Sequence, residues 1–303
     1  MTLKASLFDT LHANLPLVRL LAEEPLANHT SFHIGGPAEV MAFPENTREF
    51  AALLKLSDET DTKPIILGAG TNVLAPDEGL RGLIICTRDS FDGVRQISDT
   101  ELEAECGATL KKVAMLARDL SLTGLEFAHG IPGTVGGGVY MNAGAYGGEL
   151  CQVVTKTTIL NPDGNLETVC GDAQGFSYRH SAFMERDCII LGAVFSLQKG
   201  DREAIRIKMQ ELSDKRRASQ PLELPSAGST FKRPVGGYAA ALIEQAGLKG
   251  FRIGGAAVSE KHAGFVVNLG GATAQDVKIL MEEVKKRVFE ASGILLEPEV
   301  RIL

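Results

Sequence analysis

The stretch "GIPGTVGGGVYMNAGAYGG", residues 130–148, is dense in glycine and alanine and carries no charged side chain. A flexible linker is normally richer in Ser, Lys and Glu. Backbone stripped of side chains instead suits close approach to a ligand. A tightly packed crossover would also explain the composition. Ligand binding is the better reading, because pockets are lined by much backbone and few polar groups.

A second glycine stretch, Gly68-Ala-Gly-Thr-Asn72, ends the apolar run "KPIIL". It is not a P-loop, since no Gly-Lys-Ser/Thr follows. Nor is it a full dinucleotide fingerprint, because Val73 stands at the third glycine position of G-x-G-x-x-G. Alone it reads as a plain turn. Two such loops, each beside predicted strands, suit one long ligand that carries two phosphates.

Outward from these loops, helix and strand signals alternate, which predicts a mixed α and β class. Asn46-Thr-Arg-Glu49 resembles a capping box opening the helix "TREFAALLKLS". "RGLIICT", "TELEAECG" and "CIILGAVFSLQ" read as strands, and "TLKKVAMLARDLSL" as a helix. Asn161-Pro-Asp-Gly164 predicts the turn of a hairpin. A polar helix, "DREAIRIKMQELSDKRRAS", follows a domain boundary near residue 200. Beyond it come a helix closed by Gly247, strands in "GGAAVS" and "GFVVNLGG", and a helix opened by Thr273. That last helix places Val277, Leu280, Met281, Val284 and Val288 on one face. "LEPEVRIL" reads as a terminal strand. Residues 1–25 read as an amphipathic helix packed on the body, without the continuous apolar block of a signal peptide.

The 303 residues suggest two or three domains. A net charge of −7 argues against a dedicated nucleic-acid or anionic-membrane surface. No apolar run reaches the length of a membrane span. Cys86, Cys106, Cys151, Cys170 and Cys188 are odd in number and widely spaced, so buried reduced thiols are expected rather than disulfides or a zinc site. The histidines show no metal-ligand spacing.

Three further places hold chemistry-bearing side chains. "FSYRHSAF" groups Tyr178, Arg179 and His180; read alone, its arginine is a solvated surface charge. Glu299 sits among apolar residues near the C-terminus, on a wet strand face or held for a purpose. "SAGSTFKRP" puts Ser229 between small residues with no histidine nearby to make it a nucleophile.

Seven stretches taken together resemble one family: "NHTSFHIGGPAEV", "LGAGTNVL", "GIPGTVGGGVYMNAGAYG", "YRHSAF", "SAGSTFKRP", "GGAAVSEKHAGFVVN" and "EPEVRIL". They stand in the order of the UDP-N-acetylenolpyruvoylglucosamine reductases of bacterial peptidoglycan synthesis, the shorter type II subtype. The resemblance spans roughly residues 20–303. It implies an α+β fold: an FAD-binding fold of the vanillyl-alcohol-oxidase (PCMH) type in two subdomains, plus a C-terminal α+β substrate-binding domain. The implied divisions are 1–88 with the terminal strand 295–303, then 89–200, then 201–294. The implied cofactors are non-covalent FAD and NADPH as hydride donor. The implied partner is a sugar nucleotide, with no nucleic acid or membrane, and the implied state is a cytoplasmic monomer.

The resemblance also assigns roles. Ser229 becomes a proton donor to the substrate α-carbon, which needs no base. Arg179 and Glu299 act on the substrate carboxylate and the developing enolate. Glu299 serves there only when protonated or hydrogen-bonded, since two carboxylates repel. FAD contacts fall to Gly68, Ala69, Gly70, Thr71 and Asn72, to Gly130, Ile131, Pro132, Gly133, Thr134, Gly136 and Gly137, and to Asn142, Ala145 and Arg301. Tyr178, Lys232, Arg233, Arg252, Lys261 and His262 are the implied substrate contacts. Lys232 is also placed to stabilise the alkoxide left on Ser229. The alternative is another FAD-dependent oxidase or dehydrogenase of the same superfamily, which takes hydride from its substrate and does not need this proton donor.

Overall fold

The computed structural model describes residues 6–303. Within them the chain divides into two compact units, with elements numbered along the whole chain. Of the described residues, one unit holds 6–24, Glu39–Ala69 and Arg81–Asp214; the other holds Pro25–Ala38, Gly70–Leu80 and Lys215–Leu303.

The first unit is built on two sheets. One has the order β1-β2-β5-β3, from β1 (Arg19–Pro25), β2 (Pro37–Phe43), β3 (Ile65–Leu67) and β5 (Leu80–Cys86). β3 runs parallel to β5, pairing Leu67 with Cys86. The other has the order β12-β11-β13-β7-β6, from β6 (Val94–Gln96), β7 (Glu101–Glu105), β11 (Val154–Leu160), β12 (Leu166–Cys170) and β13 (Ile189–Ser196). All its pairings are antiparallel. Short pairs join β8 (Leu122–Thr123) to β14 (Gln198–Lys199), and β9 (Gly144–Ala145) to β10 (Gly148–Glu149). Helices α1 (Leu7–Asn14), α2 (Thr47–Glu59), α3 (Leu110–Asp119) and α4 (Val135–Tyr140) complete it, and the boundary between the units falls within α5 (Arg202–Ser219). Phe50, Leu53, Leu83, Ile85, Leu102, Val113 and Phe195 share its core.

The second unit carries a four-stranded antiparallel sheet of order β15-β18-β17-β16, from β15 (Ser226–Ser229), β16 (Arg252–Ile253), β17 (Ala256–Val258) and β18 (Phe265–Asn268). β4 (Val73–Leu74) pairs in parallel with β19 (Arg301–Ile302). α6 (Ala239–Gln245) and α7 (Ala274–Ser292) supply its helices. The predicted stripe Val277, Leu280, Met281, Val284 and Val288 is buried in its core with Phe231, Ile243 and Val266. Each such side chain stabilises by about 1.5–3 kcal/mol relative to exposure.

Helix ends follow local chemistry. Asn46 accepts from the Glu49 N–H at 3.1 Å, and Glu49 returns its carboxylate to the Glu45 N–H at 2.7 Å. Thr273 and Asp276 form a reciprocal capping box on α7. The N–H groups of Thr273 and Gly255 hold the Asp276 carboxyl below the usual carboxylate range. Asp77 adds a second cap, accepting from the N–H groups of Ala274 at 2.7 Å and Gln275 at 3.1 Å. Gly293 closes α7 at φ 71°.

Four expectations need correction. The N-terminal helix ends at Asn14, and Arg19–Pro25 is a strand; Pro16 cannot continue a helix and restricts Leu15 before it. Residues 1–5 of that expected helix lie outside the described residues. Within residues 130–148, Val135–Tyr140 is helical despite three consecutive glycines. Of "LEPEVRIL" only Arg301–Ile302 forms a ladder, preceded by an isolated Phe231–Pro298 bridge, because Pro298 lacks the N–H a ladder needs. Finally, Cys86 and Cys106 are buried thiols, with pKa values pushed by burial to about 11 and about 12, but Cys151 and Cys170 are exposed.

Candidate active site

Thr134 joins the two glycine stretches within the first unit. It is buried and caps α4, accepting from the Gly137 N–H at 3.4 Å. Its hydroxyl lies 2.5 Å from where a Cβ on Gly68 would stand. Gly68 therefore meets this segment with no room for a side chain. Such uncharged, side-chain-free backbone fits a pyrophosphate that must approach closely.

Much of the 130–148 stretch is already bonded internally. The N–H groups of Ile131, Val135 and Gly136 donate to the carbonyls of Ala128, Ala108 and Cys106. Gly136 is also packed so closely on Cys106 that a Cβ would come within 2.9 Å of the Cys106 Cβ. The helical part is thus internally bonded as a scaffold. His129 directly precedes the stretch. Burial, with help from Lys111 and Arg118, lowers its pKa and keeps it neutral.

Arg179 lies in the same unit at φ 55°, an uncommon conformation for a non-glycine residue. It occupies a tight turn closed by reciprocal backbone bonds between Ser177 and His180. Its guanidinium donates to the Gly144 carbonyl at 3.4 Å and lies 5.8 Å from the Tyr178 ring centre. Tyr178 is exposed. Asn142 is buried, with its amide bonded to Ser177, Glu149 and Cys151. Ala145 lies in β9, paired with Gly148.

Gly70–Asn72 belong to the second unit. A Cβ on Gly70 would lie 2.0 Å from the His29 carbonyl oxygen, so only glycine fits. The Gly70 carbonyl accepts from the Ser31 N–H, and the Ser31 hydroxyl donates to the Ser226 carbonyl at 2.6 Å. Asn72 spends its amide N–H on the Glu299 carbonyl at 3.1 Å, and its own carbonyl accepts from the Arg301 N–H. Gly70–Asn72, the serine strand and the C-terminal segment thereby converge.

Ser229 ends β15, half-buried, beyond a register shift at Gly228 (φ 75°). The next residue, Thr230, is buried and acts as a hub. Its hydroxyl accepts from the Val266 N–H at 2.9 Å, and its carbonyl accepts from the Glu299 N–H at 2.8 Å. Ser229 and Glu299 are therefore held on adjacent segments. The hub was missed in the sequence, since nothing marks a threonine whose partners lie tens of residues away.

The proposed substrate cations of this unit sit in different settings. The Lys232 ammonium is 3.3 Å from Glu297. The Arg233 guanidinium stacks on Tyr238 at 4.0 Å from the ring centre. Arg252 donates to the Gly254 carbonyl at 2.6 Å, and Lys261 to the Arg217 carbonyl at 2.7 Å. His262 accepts at Nδ1 from the Gly264 N–H, and burial keeps its pKa below the usual range. A cavity of about 280 Å³ in the first unit, lined by Leu54, Asp61, Lys63, Leu160 and Cys188, contains none of these residues.

Residues 38–169 match the pattern of an FAD binding domain. The class is thus an FAD-dependent oxidoreductase, with an α+β FAD-binding part and a C-terminal domain. Residues 220–303 match the C-terminal domain of UDP-N-acetylenolpyruvoylglucosamine reductase. The chain is 46% identical to the reductase of that name from Caldanaerobacter subterraneus subsp. tengcongensis, over 98% of both chains. It is 45% identical to that of Pediococcus pentosaceus, over 95% of both. The crystal structure of the Thermus caldophilus reductase superposes with a TM-score of 0.80 at 32% identity, covering 94% of this chain and 98% of that one. The chain belongs to the UDP-N-acetylenolpyruvoylglucosamine reductase family.

Proposed function

We infer that this chain reduces UDP-N-acetylglucosamine enolpyruvate to UDP-N-acetylmuramate, with NADPH as hydride donor and FAD bound non-covalently. Beyond family membership, the observation that carries this reading is the pairing of Ser229 and Glu299 through the Thr230 backbone. FAD, when bound, supplies the hydride that adds to the enolpyruvyl β-carbon. Everything after that is handled by the chain's own side chains.

Reduction at the β-carbon leaves negative charge toward the α-carbon and the adjoining carboxylate. Ser229 donates its hydroxyl proton to the α-carbon. A neutral hydroxyl is a weak acid, but it needs only a basic enough acceptor and a stabilised alkoxide. Lys232 is the proposed cation for that alkoxide, and its ion pair with Glu297 sets its present orientation. Arg179 supplies fixed positive charge where charge develops, which is most effective when the cation is pre-organised. Glu299 contacts the substrate carboxylate in a protonated or hydrogen-bonded form.

FAD would be held by backbone at Gly68–Asn72 and Gly130–Gly137, with Ala145 and Arg301 toward the flavin; the Asn142 amide, expected there from the sequence, is committed instead to Ser177, Glu149 and Cys151. The substrate would be held by Tyr178, Lys232, Arg233, Arg252, Lys261 and His262. As a neutral group His262 would serve by hydrogen bonding, not by charge. The FAD-binding part is proposed to divide at residue 88, with 201–294 as the substrate-binding domain and 295–303 returning to the first part. Among the described residues no helix is long and apolar enough to cross a membrane. A cytoplasmic monomer is the proposed state.

The test is anaerobic flavin spectroscopy. NADPH should bleach the yellow protein, and the enolpyruvyl substrate should restore the oxidised spectrum. A protein that bleaches and stays bleached has a different acceptor. One that reoxidises rapidly only with oxygen is an oxidase. A colourless protein that takes up no FAD overturns the reading.

A further inference from the structure

We propose that Asn142 acts in this reaction as a positioning residue for Arg179, by clamping the turn that carries the arginine. The inference rests on the role given to Arg179 above.

Asn142 is buried at φ 43°, a left-handed conformation that asparagine tolerates better than most residues. Its amide Nδ2 donates to the Ser177 carbonyl at 3.0 Å and to Glu149 Oε2 at 3.0 Å. Its Oδ1 accepts from the Cys151 N–H at 2.9 Å. One donor and two acceptors around the amide fix which end is oxygen and which is nitrogen. Both Nδ2 hydrogens are committed, so the side chain cannot donate to a ligand without releasing Ser177 or Glu149.

Ser177 opens the turn in which Arg179 stands, and that turn is closed by two backbone bonds to His180. The guanidinium reaches back to the carbonyl of Gly144, two residues beyond Asn142. Asn142 therefore holds the chain on both sides of the arginine: the turn through Ser177, and the start of β9 through its own backbone. Ser181 pins the far side of the turn by donating to the Tyr140 carbonyl at 2.7 Å. A fixed cation helps a transition state only while it stays fixed, and small displacements can cost about 100-fold in rate. Arg179 stands at φ 55°, a costly conformation that persists through restraint by its surroundings.

The experiment compares Asn142→Gly with wild type in separate half-reactions. Glycine accepts the backbone conformation and removes the side-chain bonds to Ser177, Glu149 and Cys151 together. FAD affinity, read by flavin fluorescence, and reduction by NADPH should stay within about twofold, while reoxidation by the enolpyruvyl substrate slows about 10- to 100-fold. Should Asn142→Gly not fold, Glu149→Ala removes one anchor of the same amide and should slow the same step by a smaller factor. In the double variant Arg179→Gln/Asn142→Gly, the loss should not exceed that of Arg179→Gln alone. Additive losses, or a defect confined to FAD affinity, overturn the proposal. Arg179→Gln reoxidising at the wild-type rate instead overturns the role of the arginine itself, and this inference with it.

Discussion

The backbone N–H of Glu299 donates to the Thr230 carbonyl at 2.8 Å, immediately after Ser229 in the chain. A residue near the C-terminus is thus fixed to the strand end that carries the serine. The Thr230 side chain faces the other way, accepting from the Val266 N–H inside the sheet. Thr230→Val keeps the shape and leaves that buried N–H unpaired, at a cost of about 1–3 kcal/mol. Urea unfolding of the variant should show it, and Thr230→Ser, which keeps the oxygen, should lose less. Equal stability of Thr230→Val and wild type would remove the hub.

Ser229→Ala tests the proton donor. FAD binding and reduction by NADPH should be retained. Flavin reoxidation by the enolpyruvyl substrate should fall about 10²- to 10⁴-fold, the range for a lost general acid. Stopped-flow absorbance separates the two steps. Equal losses in both would point to a damaged flavin site.

Parts of the architecture that obey local rules were legible in the sequence. The Asn46 and Thr273 caps, the turn at Asn161–Gly164 and the apolar face of α7 each depend on neighbours within a few residues. α4 was not legible, because each glycine costs about 1 kcal/mol in a helix interior. It forms because Val135 and Gly136 are bonded to Ala108 and Cys106, and because Gly138 packs against Leu110 and Leu150. β1 was misread for the opposite reason: its leucines and glutamates suit a helix, and its pairing with β2 overrides that preference. At the candidate site the glycines and the serine motif announced themselves. The Asn142–Ser177 and Thr230–Glu299 bonds span tens of residues, and no periodicity encodes them.

Gly68→Ala should weaken FAD retention, because its new methyl would lie 2.5 Å from the Thr134 hydroxyl. Either the loop or Thr134 must move, and Thr134 also caps α4. Thr134→Ala in the same chain removes the clashing oxygen and should recover part of the affinity. Loss of a cap costs about 0.5–2 kcal/mol, so recovery will be incomplete. FAD binding unchanged in Gly68→Ala would show that the two stretches need not touch.

His262 makes stability depend on pH. Burial lowers its folded pKa from the ordinary 6.5, with the nearby Lys249 adding to the shift and Glu244 opposing it. Its Nδ1 accepts from the Gly264 N–H at 3.2 Å, which only the neutral ring can do at that atom, and its edge packs against Phe265. Between the lowered folded pKa and 6.5 the unfolded chain binds more protons than the folded one, so stability rises with pH there. The contribution is complete above 6.5 and is lost as pH falls through the folded pKa. The stability difference between wild type and His262→Gln, from urea midpoints, should therefore be largest near neutral pH and shrink toward about pH 5. A difference that grows on acidification would mean that the folded ring is charged and drawn to Glu244.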